Sequence, residues 1–476
     1  MRHDLSIREA VLLFALLAFA MLQALAPVLV TDPDAWWHIA TGRWIVEHHA
    51  IPYKDPFSVA GAGRPWQAYT WLFDLILYGF HKAFGGRGFV LFTAVLWMGI
   101  AAALYASARS RQHSPLHAVL LCAFTLLAAD AMATPRPWLF SVLFLIVGLF
   151  LLTSMRAWWI PLLFVLWANL HIEFVYGLAV LALAAVCRRV DWRIVAASGL
   201  ATLVNPYGWK LWQLIVEYSS HFGLAAYIAE LRPPVWNAPG TLLLAAGLIG
   251  ALVLLIRSGS RDAFTYLLLA FAAFVSFRAR RDVWMAAIAV ASTVAMERRG
   301  DTKVNWRPIA AGVACALLLL AFVWSRRVPE NRTGRELAAA MPVEAAKFLS
   351  GRRATVFSTF DWGGYLIWSL PASKVFLDGR TNVHGMARTL QGFATWRGED
   401  WQSDPELASA DLVVAPQRAT LRKALADSGR YRLLFEDDVS AVLERTDRID
   451  GTGSSSIRTA APMGNDDKGN NTRSQQ

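Results

Sequence analysis

Eleven apolar runs separated by short polar connections restrict this chain more than any other feature. They lie near residues 10–30, 89–107, 116–133, 138–155, 158–170, 174–187, 194–204, 239–256, 263–277, 283–297 and 308–325. A membrane-crossing helix takes about 20 predominantly apolar residues, so the pattern predicts a polytopic helical bundle. The runs at 158–170 and 194–204 are short enough to be tilted, broken or half-spanning. The first run exceeds a usual signal-peptide core, and Pro27 directly follows the cleavage-like Ala24-Leu25-Ala26, so it reads as an uncleaved signal-anchor.

Charged residues make up only 17% of the 476 residues and hydrophobic residues 56%, too little charge to cover a soluble surface of that size. The formal net charge of +11 does not point to nucleic acid, because the basic residues punctuate the apolar runs singly and in small clusters. Arg2 and Arg8, Arg109 and Arg111, Arg156, Arg188, Arg189 and Arg193, Arg257 and Arg261, then Arg298, Arg299, Lys303 and Arg307 fall on alternate connections. Such connections are cytoplasmic by the positive-inside rule. This predicts a cytoplasmic N-terminus in the inner (plasma) membrane, with loop 31–88 and everything after Arg326 outside. Cys122, Cys187 and Cys315 lie in or at the ends of apolar runs without metal-type spacing, which excludes a disulfide framework or a zinc site.

Residues 1–327 are therefore expected to form the bundle and 328–447 an outer α/β domain, followed by a disordered tail, 448–476. Within the outer domain, β-like runs at 354–358, 374–377, 412–415, 431–435 and 440–443 alternate with helical patterns at 343–349 and 419–426.

The densest chemistry sits just past the first run, in Thr31-Asp32-Pro33-Asp34-Ala35-Trp36-Trp37-His38. Carboxylates at a membrane–water boundary suit metal binding or proton transfer. Asp32 has an equally good structural reading as the N-cap of the next helix. Asp34 and His38 are four apart and share a helix face, where the carboxylate could orient the imidazole. Asp55 lies further along the loop, and His171 and Glu173 lie where two short runs meet. The tryptophans at 36, 37, 44, 66 and 71 fit an interfacial belt or a sugar-stacking surface. One connection departs from the charge rule: Arg278, Arg280 and Arg281 fall on the outer side, where guanidinium forks match phosphate oxygens.

Several strings, with the order of features around them, carry a resemblance: Asp32-Pro-Asp-Ala-Trp-Trp-His38 with Gly42, Pro52-x-x-Asp55-Pro-Phe-Ser58, Trp167-Ala-Asn-Leu-His171, Asn205-Pro-Tyr-Gly208, Trp362-Gly-Gly-Tyr-Leu-Ile-Trp368 and Phe376-Leu-Asp-Gly-Arg380. The chain resembles the GT-C superfamily of integral-membrane glycosyltransferases, and within it a group of bacterial multi-pass proteins. The resemblance implies a polyprenyl-phosphate-linked sugar donor, with Asp34 or Asp32 as the catalytic or metal-binding carboxylate and Mg or Mn as the divalent cation. Where protein mannosyltransferases carry Asp-Glu this chain has Asp32-Pro33, which leaves open which acid acts.

Two functions of different class follow. One is an inverting glycosyltransferase, with Asp34 as base or metal ligand and the outer arginines stabilising the leaving phosphate. The other is a non-enzymatic flippase or scaffold for envelope glycan assembly, which should show mid-membrane ionisable residues and internal repeats; neither is evident. In the outer domain, the loops at 362–365 and 378–380 follow neighbouring strands and are expected to face the membrane cavity, with Arg380 on the acceptor or the donor phosphate. The alternative for Asp378-Gly379-Arg380 is a plain turn closed by an ion pair.

Overall fold

The computed structural model describes residues 2–25, 29–59, 61–154, 156–219, 225–297, 305–327, 330–446 and 458–459. Arg298, Arg299, Lys303 and all but two residues of the tail lie outside the described residues.

A helix occupies each of the eleven apolar runs. They are α1 (Arg2–Ala24), α4 (Arg87–Ser110), α5 (Pro115–Ala128), α6 (Trp138–Thr153), α7 (Ile160–Leu170), α8 (Phe174–Val186), α9 (Trp192–Ala201), α11 (Pro239–Arg257), α12 (Ala263–Arg278), α13 (Val283–Glu297) and α14 (Trp306–Arg327). Two of the remaining three, α2 (Pro33–His48) and α3 (Trp71–Phe84), belong to the first loop; the third is α10 (Lys210–Ser219). Among the described residues, α1, α4, α11 and α14 contain stretches long and apolar enough to cross a bilayer unaided, while α5 to α8 and α12 are apolar but shorter. Helix α1 starts and ends earlier than the apolar run at 10–30. Hydropathy marks where apolar side chains lie, whereas backbone hydrogen bonding sets the helix ends.

Helix α4 packs against α1, α3, α5 and α6 at the centre, and α13 is buried along most of its length against α5, α6, α11 and α12. Only about a quarter of the apolar stretches of α11 and α14 is buried inside the protein, 22% and 28%, which leaves their outer faces for lipid.

The start of α2 is fixed locally. Asp32 caps it, its Oδ1 accepting from the Asp34 N–H at 3.0 Å, and Pro33 takes the first helical position, where a missing N–H costs nothing.

Beyond α14 come α15 (Glu330–Ala340), α16 (Val343–Phe348), β1 (Arg352–Arg353), β2 (Thr355–Ser358), α17 (Phe360–Ser369), β3 (Lys374–Val375), α18 (Thr381–His384), α19 (Met386–Trp396), α20 (Pro405–Ser409), β4 (Leu412–Pro416), α21 (Thr420–Asp427), β5 (Tyr431–Glu436), β6 (Ser440–Arg445) and β7 (Arg458–Thr459). The five runs expected to be strands form one sheet in the order β3-β2-β4-β6-β5. Strand β2 is parallel to β3 and β4, while β6 is antiparallel to β4 and β5. Within the tail expected to be disordered, β7 pairs with β1.

The free edge of β3 is taken by the first loop. The Val59 N–H donates to the Val375 carbonyl at 2.8 Å, and the Val375 N–H donates to the Phe57 carbonyl at 3.4 Å. An unpaired edge would otherwise offer these groups to other chains.

Candidate active site at the junction of bundle, loop and outer domain

A cavity of about 470 Å³ lies where the first loop, the bundle and the outer domain meet. Asp34, Trp37 and His38 line it from α2, Arg136 and Trp138 from the connection before α6, and His171 and Glu173 from the turn between α7 and α8. Arg278 borders it from the end of α12 and Arg281 from the connection that follows, and Phe360, Gly379, Arg380, Thr381 and Asn382 border it from the outer domain. Residues far apart in sequence are thus gathered on one face of the molecule. That face includes the three-arginine connection that departed from the charge rule, although Arg280 is not among the lining residues.

Arg136 organises the acidic end. Its Nε lies 2.7 Å from Asp32 Oδ2, its Nη1 bonds Asp34 Oδ2, and the same Nη1 lies 3.5 Å from Glu230. The guanidinium also sits over the Trp138 ring, 5.0 Å from its centroid. Burial works against its charge, but Asp32, Asp34 and Glu230 outweigh it and hold Arg136 well above the ordinary arginine range. The other oxygen of Asp34, Oδ1, accepts from Trp37 Nε1 at 3.0 Å. Burial pushes the Asp34 carboxyl up to about 7, against the pull of Arg136 and with Asp32 and Glu230 adding to the push.

The expected divalent cation does not fit this donor set. Mg²⁺ requires near-octahedral oxygen ligands, yet Asp32 and Asp34 both spend oxygens on Arg136, and the guanidinium fills the place between them. Among the described residues no group of three or more His, Cys, Asp or Glu side chains is arranged to hold a metal ion. In this arrangement Asp32 and Asp34 anchor Arg136.

His38 has a different partner from the one its spacing suggested. Its Nδ1 lies 2.6 Å from Asp74 Oδ1 on α3, not against Asp34. His171 Nδ1 lies 3.2 Å from Glu173 Oε2 and 2.9 Å from Ser141 Oγ. Arg278 reaches the Tyr176 hydroxyl at 3.3 Å and Asp282 at 3.8 Å. The Arg281 Nε is buried without a hydrogen-bond partner. Burial opposes the charge of Arg281, but Asp282, Glu173 and Glu230 hold it above the ordinary arginine range.

Arg380 lines the cavity, and its guanidinium is tied to Asp378 and to Asp55, which is not among the lining residues. Arg380 Nη1 meets Asp55 Oδ1 at 2.6 Å, and its Nε and Nη2 both lie 2.8 Å from Asp378. The guanidinium also lies over Trp66, at 4.8 Å, and His384 Nε2 completes the cluster 3.0 Å from Asp378. Every nitrogen of the Arg380 fork is engaged, so the alternative of a turn closed by an ion pair describes it. This buried cluster ties the first loop to the outer domain. Burial would raise the Asp378 carboxyl, but Arg380 and His384 hold it well below the usual carboxylate range.

The two glycine-bearing loops, 362–365 and 378–380, do pack together. A Cβ on Gly363 would fall 2.1 Å from the Leu377 carbonyl oxygen, and one on Gly364 would fall 2.6 Å from the Pro33 carbonyl oxygen. Asn205 to Gly208 form a turn whose Tyr207 hydroxyl accepts from the Ala68 N–H at 3.0 Å and donates to the Pro52 carbonyl at 2.9 Å, pinning the first loop again. His221 lies outside the described residues. The spacing pattern missed Asp74, the cavity-lining tyrosines 69, 176 and 218, and the clamping role of Arg136.

The architecture is a helical bundle with an acidic first-loop motif and an outer α/β domain that share one cavity. Among solved structures it is similar to the Archaeoglobus fulgidus oligosaccharyltransferase tethered with an acceptor peptide containing the NVT sequon. The two share 12% identity, with a TM-score of 0.51 over 85% of this chain and 69% of that one. It is also similar to the oligosaccharyltransferase AglB from the same organism in complex with an inhibitory peptide and a dolichol-phosphate, at 12% identity and a TM-score of 0.50 over the same shares. ArnT from Cupriavidus metallidurans bound to undecaprenyl phosphate aligns at 15% identity and a TM-score of 0.47 over 94% of this chain and 99% of that one. No family model and no curated protein matches the sequence.

Proposed function

We propose that this protein is an inverting membrane glycosyltransferase. It moves a sugar from a polyprenyl-phosphate-linked donor to an envelope glycan, lipid or protein acceptor on the outer face of the inner membrane. The observation that carries this reading is the cavity itself: a carboxylate, Asp34, shares its wall with four arginines, Arg136, Arg278, Arg281 and Arg380, and with tryptophan and tyrosine rings. A sugar phosphate has the matching chemistry, an anionic group for the guanidiniums and a ring face for the aromatics. An oligosaccharyltransferase that shares the fold was solved with dolichol-phosphate, a phosphate on a prenyl chain.

In this reading the donor phosphate lies against Arg278 and Arg281, and the prenyl tail runs along the lipid-facing helices. Asp34 accepts a hydrogen bond from the acceptor hydroxyl and holds it against the anomeric carbon, on the side opposite the phosphate. As the new C–O bond forms, the acceptor O–H bond breaks and its proton passes to a base lining the cavity, while the old C–O bond breaks and its electron pair leaves with the polyprenyl phosphate. The extra negative charge falls beside fixed guanidiniums, which need not reorganise to stabilise it; such a preorganised donor is typically worth about 3–4 kcal/mol. Arg136 keeps Asp34 aimed and lends positive charge to the same space.

The test is donor-dependent release of polyprenyl phosphate by the purified full chain, followed by mass spectrometry over a panel of polyprenyl-phosphate sugars. Release by the wild type, with loss in Asp34→Asn, supports the reading. No release or binding of any lipid-linked sugar, with only ordinary phospholipid copurifying, overturns it.

A further inference from the structure

The carboxylate at the centre of the site, Asp34, is already engaged on both oxygens, which accept hydrogen bonds from Arg136 and from Trp37. A second titratable unit lines the same cavity one helical turn further along α2. His38 Nδ1 is taken up by Asp74, at 2.6 Å, while the residue itself lines the cavity wall. The opposite ring nitrogen, Nε2, is therefore the one available to a bound molecule.

The pair is built to hold that orientation. Asp74 is completely buried, and its Oδ1 also accepts from Thr70 Oγ1 at 3.0 Å. The His38 ring is fixed between Trp37, with centroids 3.5 Å apart, and the edge of Phe73, at 4.7 Å. Asp74 Oδ2 has no hydrogen-bond partner. Burial raises the Asp74 carboxyl well above its ordinary range because a lone buried anion is costly, and positive charge developing on His38 offsets that cost. The charged groups around the imidazole are Asp74 on α3, Arg136 before α6, His171 after α7 and Asp34 on its own helix. Burial, then Arg136 and His171, hold the His38 imidazole well below its ordinary range, so it is unprotonated near neutral pH.

We infer that His38, backed by Asp74, is the general base of the reaction, a catalytic residue that takes the acceptor's proton at Nε2. The inference rests on the transferase reading above. In the step, the acceptor O–H bond breaks as the O–C bond to the sugar forms. The proton goes to His38 Nε2, the electron pair of the broken sugar–phosphate bond leaves with the polyprenyl phosphate, and Asp74 stabilises the resulting imidazolium. Asp34 orients the hydroxyl and Asp74 is a positioning residue, since it acts only through the imidazole.

Two measurements separate this inference from the transferase reading. The first needs no substrate: nitrogen-15 histidine spectra of the full chain in detergent, in which the signal absent from His38→Gln is His38. The dyad requires a protonated Nδ1 and a bare Nε2 at pH 7 to 8. A proton on Nε2 with Nδ1 bare overturns it, whatever the protein's reaction.

The second is turnover of a polyprenyl-phosphate sugar. A general base contributes about 10²–10⁴-fold, so His38→Gln should lose at least about a hundredfold in kcat with donor KM little changed. Asp74→Asn should lose less, and the double variant should lose no more than His38→Gln alone. Free imidazole should restore part of the turnover of His38→Ala. Additive losses without imidazole rescue would make His38 and Asp74 structural and overturn the dyad. The predicted tautomer in a protein that handles no lipid-linked sugar would instead overturn the transferase reading, and the base assignment with it.

Discussion

Gly379 lies so close to Asp34 that a Cβ built on the glycine would fall 2.1 Å from the carboxylate Oδ1. The outer domain thus forms one wall of the pocket that aims the first-loop carboxylate, and only a residue without a side chain allows that approach.

Gly379→Ala must therefore displace either the 378–380 turn or Asp34. A misplacement of about 1 Å near reacting groups can cost on the order of a hundredfold. The expected outcome is a loss of at least tenfold in kcat, with donor binding by titration largely kept. Unchanged turnover would show that the turn yields without moving Asp34.

The pH dependence follows from Asp34, whose carboxyl stands near 7 in place of its ordinary 3.8 because of burial. A hydroxyl-orienting carboxylate must be ionised, so turnover should fall as pH drops through about 7, and Asp34→Asn should abolish transfer at every pH. Stability runs the other way. A folded-state pKa raised above the unfolded value gives a contribution that is complete below pH 3.8 and lost as pH rises through about 7. Asp34→Asn should therefore gain melting temperature relative to wild type at pH 8 compared with pH 5. The same difference at both values would mean that Asp34 is ordinarily acidic.

With Arg136 held between Asp32 and Asp34, turnover should survive exhaustive chelation. Arg136→Ala should abolish turnover and cost about 3–5 kcal/mol of stability, the usual penalty for stranding one side of a buried ion pair. Arg136→Lys should recover only part, because an ammonium cannot fork between two carboxylates. Loss of activity in EDTA with recovery on added Mg²⁺ would mean that the arginine gives way to a metal.

Arg380→Ala should also lower stability by about 3–5 kcal/mol, because it leaves Asp55 and Asp378 buried and uncompensated. Where the variant still folds, the acceptor's apparent affinity should be unchanged. An unchanged melting temperature with weaker acceptor use would return Arg380 to the binding site.

The helices and the five-strand sheet were legible because each is written in local pattern: apolar runs for the bundle, short β-rich runs between turns for the sheet. Asp34, His38, His171, Glu173, Arg278 and Arg281 were legible because ionisable groups at the margin of a bundle are costly, and the structure gathers them around one cavity. Partnerships were not legible. The four-residue spacing offered Asp34 to His38, whereas the actual partner, Asp74, stands 36 residues further on in the apolar first half of α3. Arg136 looked like one polar residue among many on the outer side; only tertiary packing sets it between Asp32 and Asp34. Nor was the pairing of Asp55 with Arg380 legible; Arg380 lines the cavity while its guanidinium is held by Asp55 and Asp378.

The pairing of the first loop with the edge of β3, and of Asp55 with Arg380, sets an order in time. These two residues are 325 positions apart in the chain. At about 5–20 residues per second, the ribosome makes Asp55 some tens of seconds before Arg380 exists. Until then α2 has no wall behind Asp34, and the loop segment that will cover the sheet edge has no sheet to join. The nascent protein therefore crosses the membrane with its acidic motif present and its pocket unbuilt. Completion of the site waits for the outer domain, so a chain stalled before Arg380 would carry every first-loop residue and still lack a working centre.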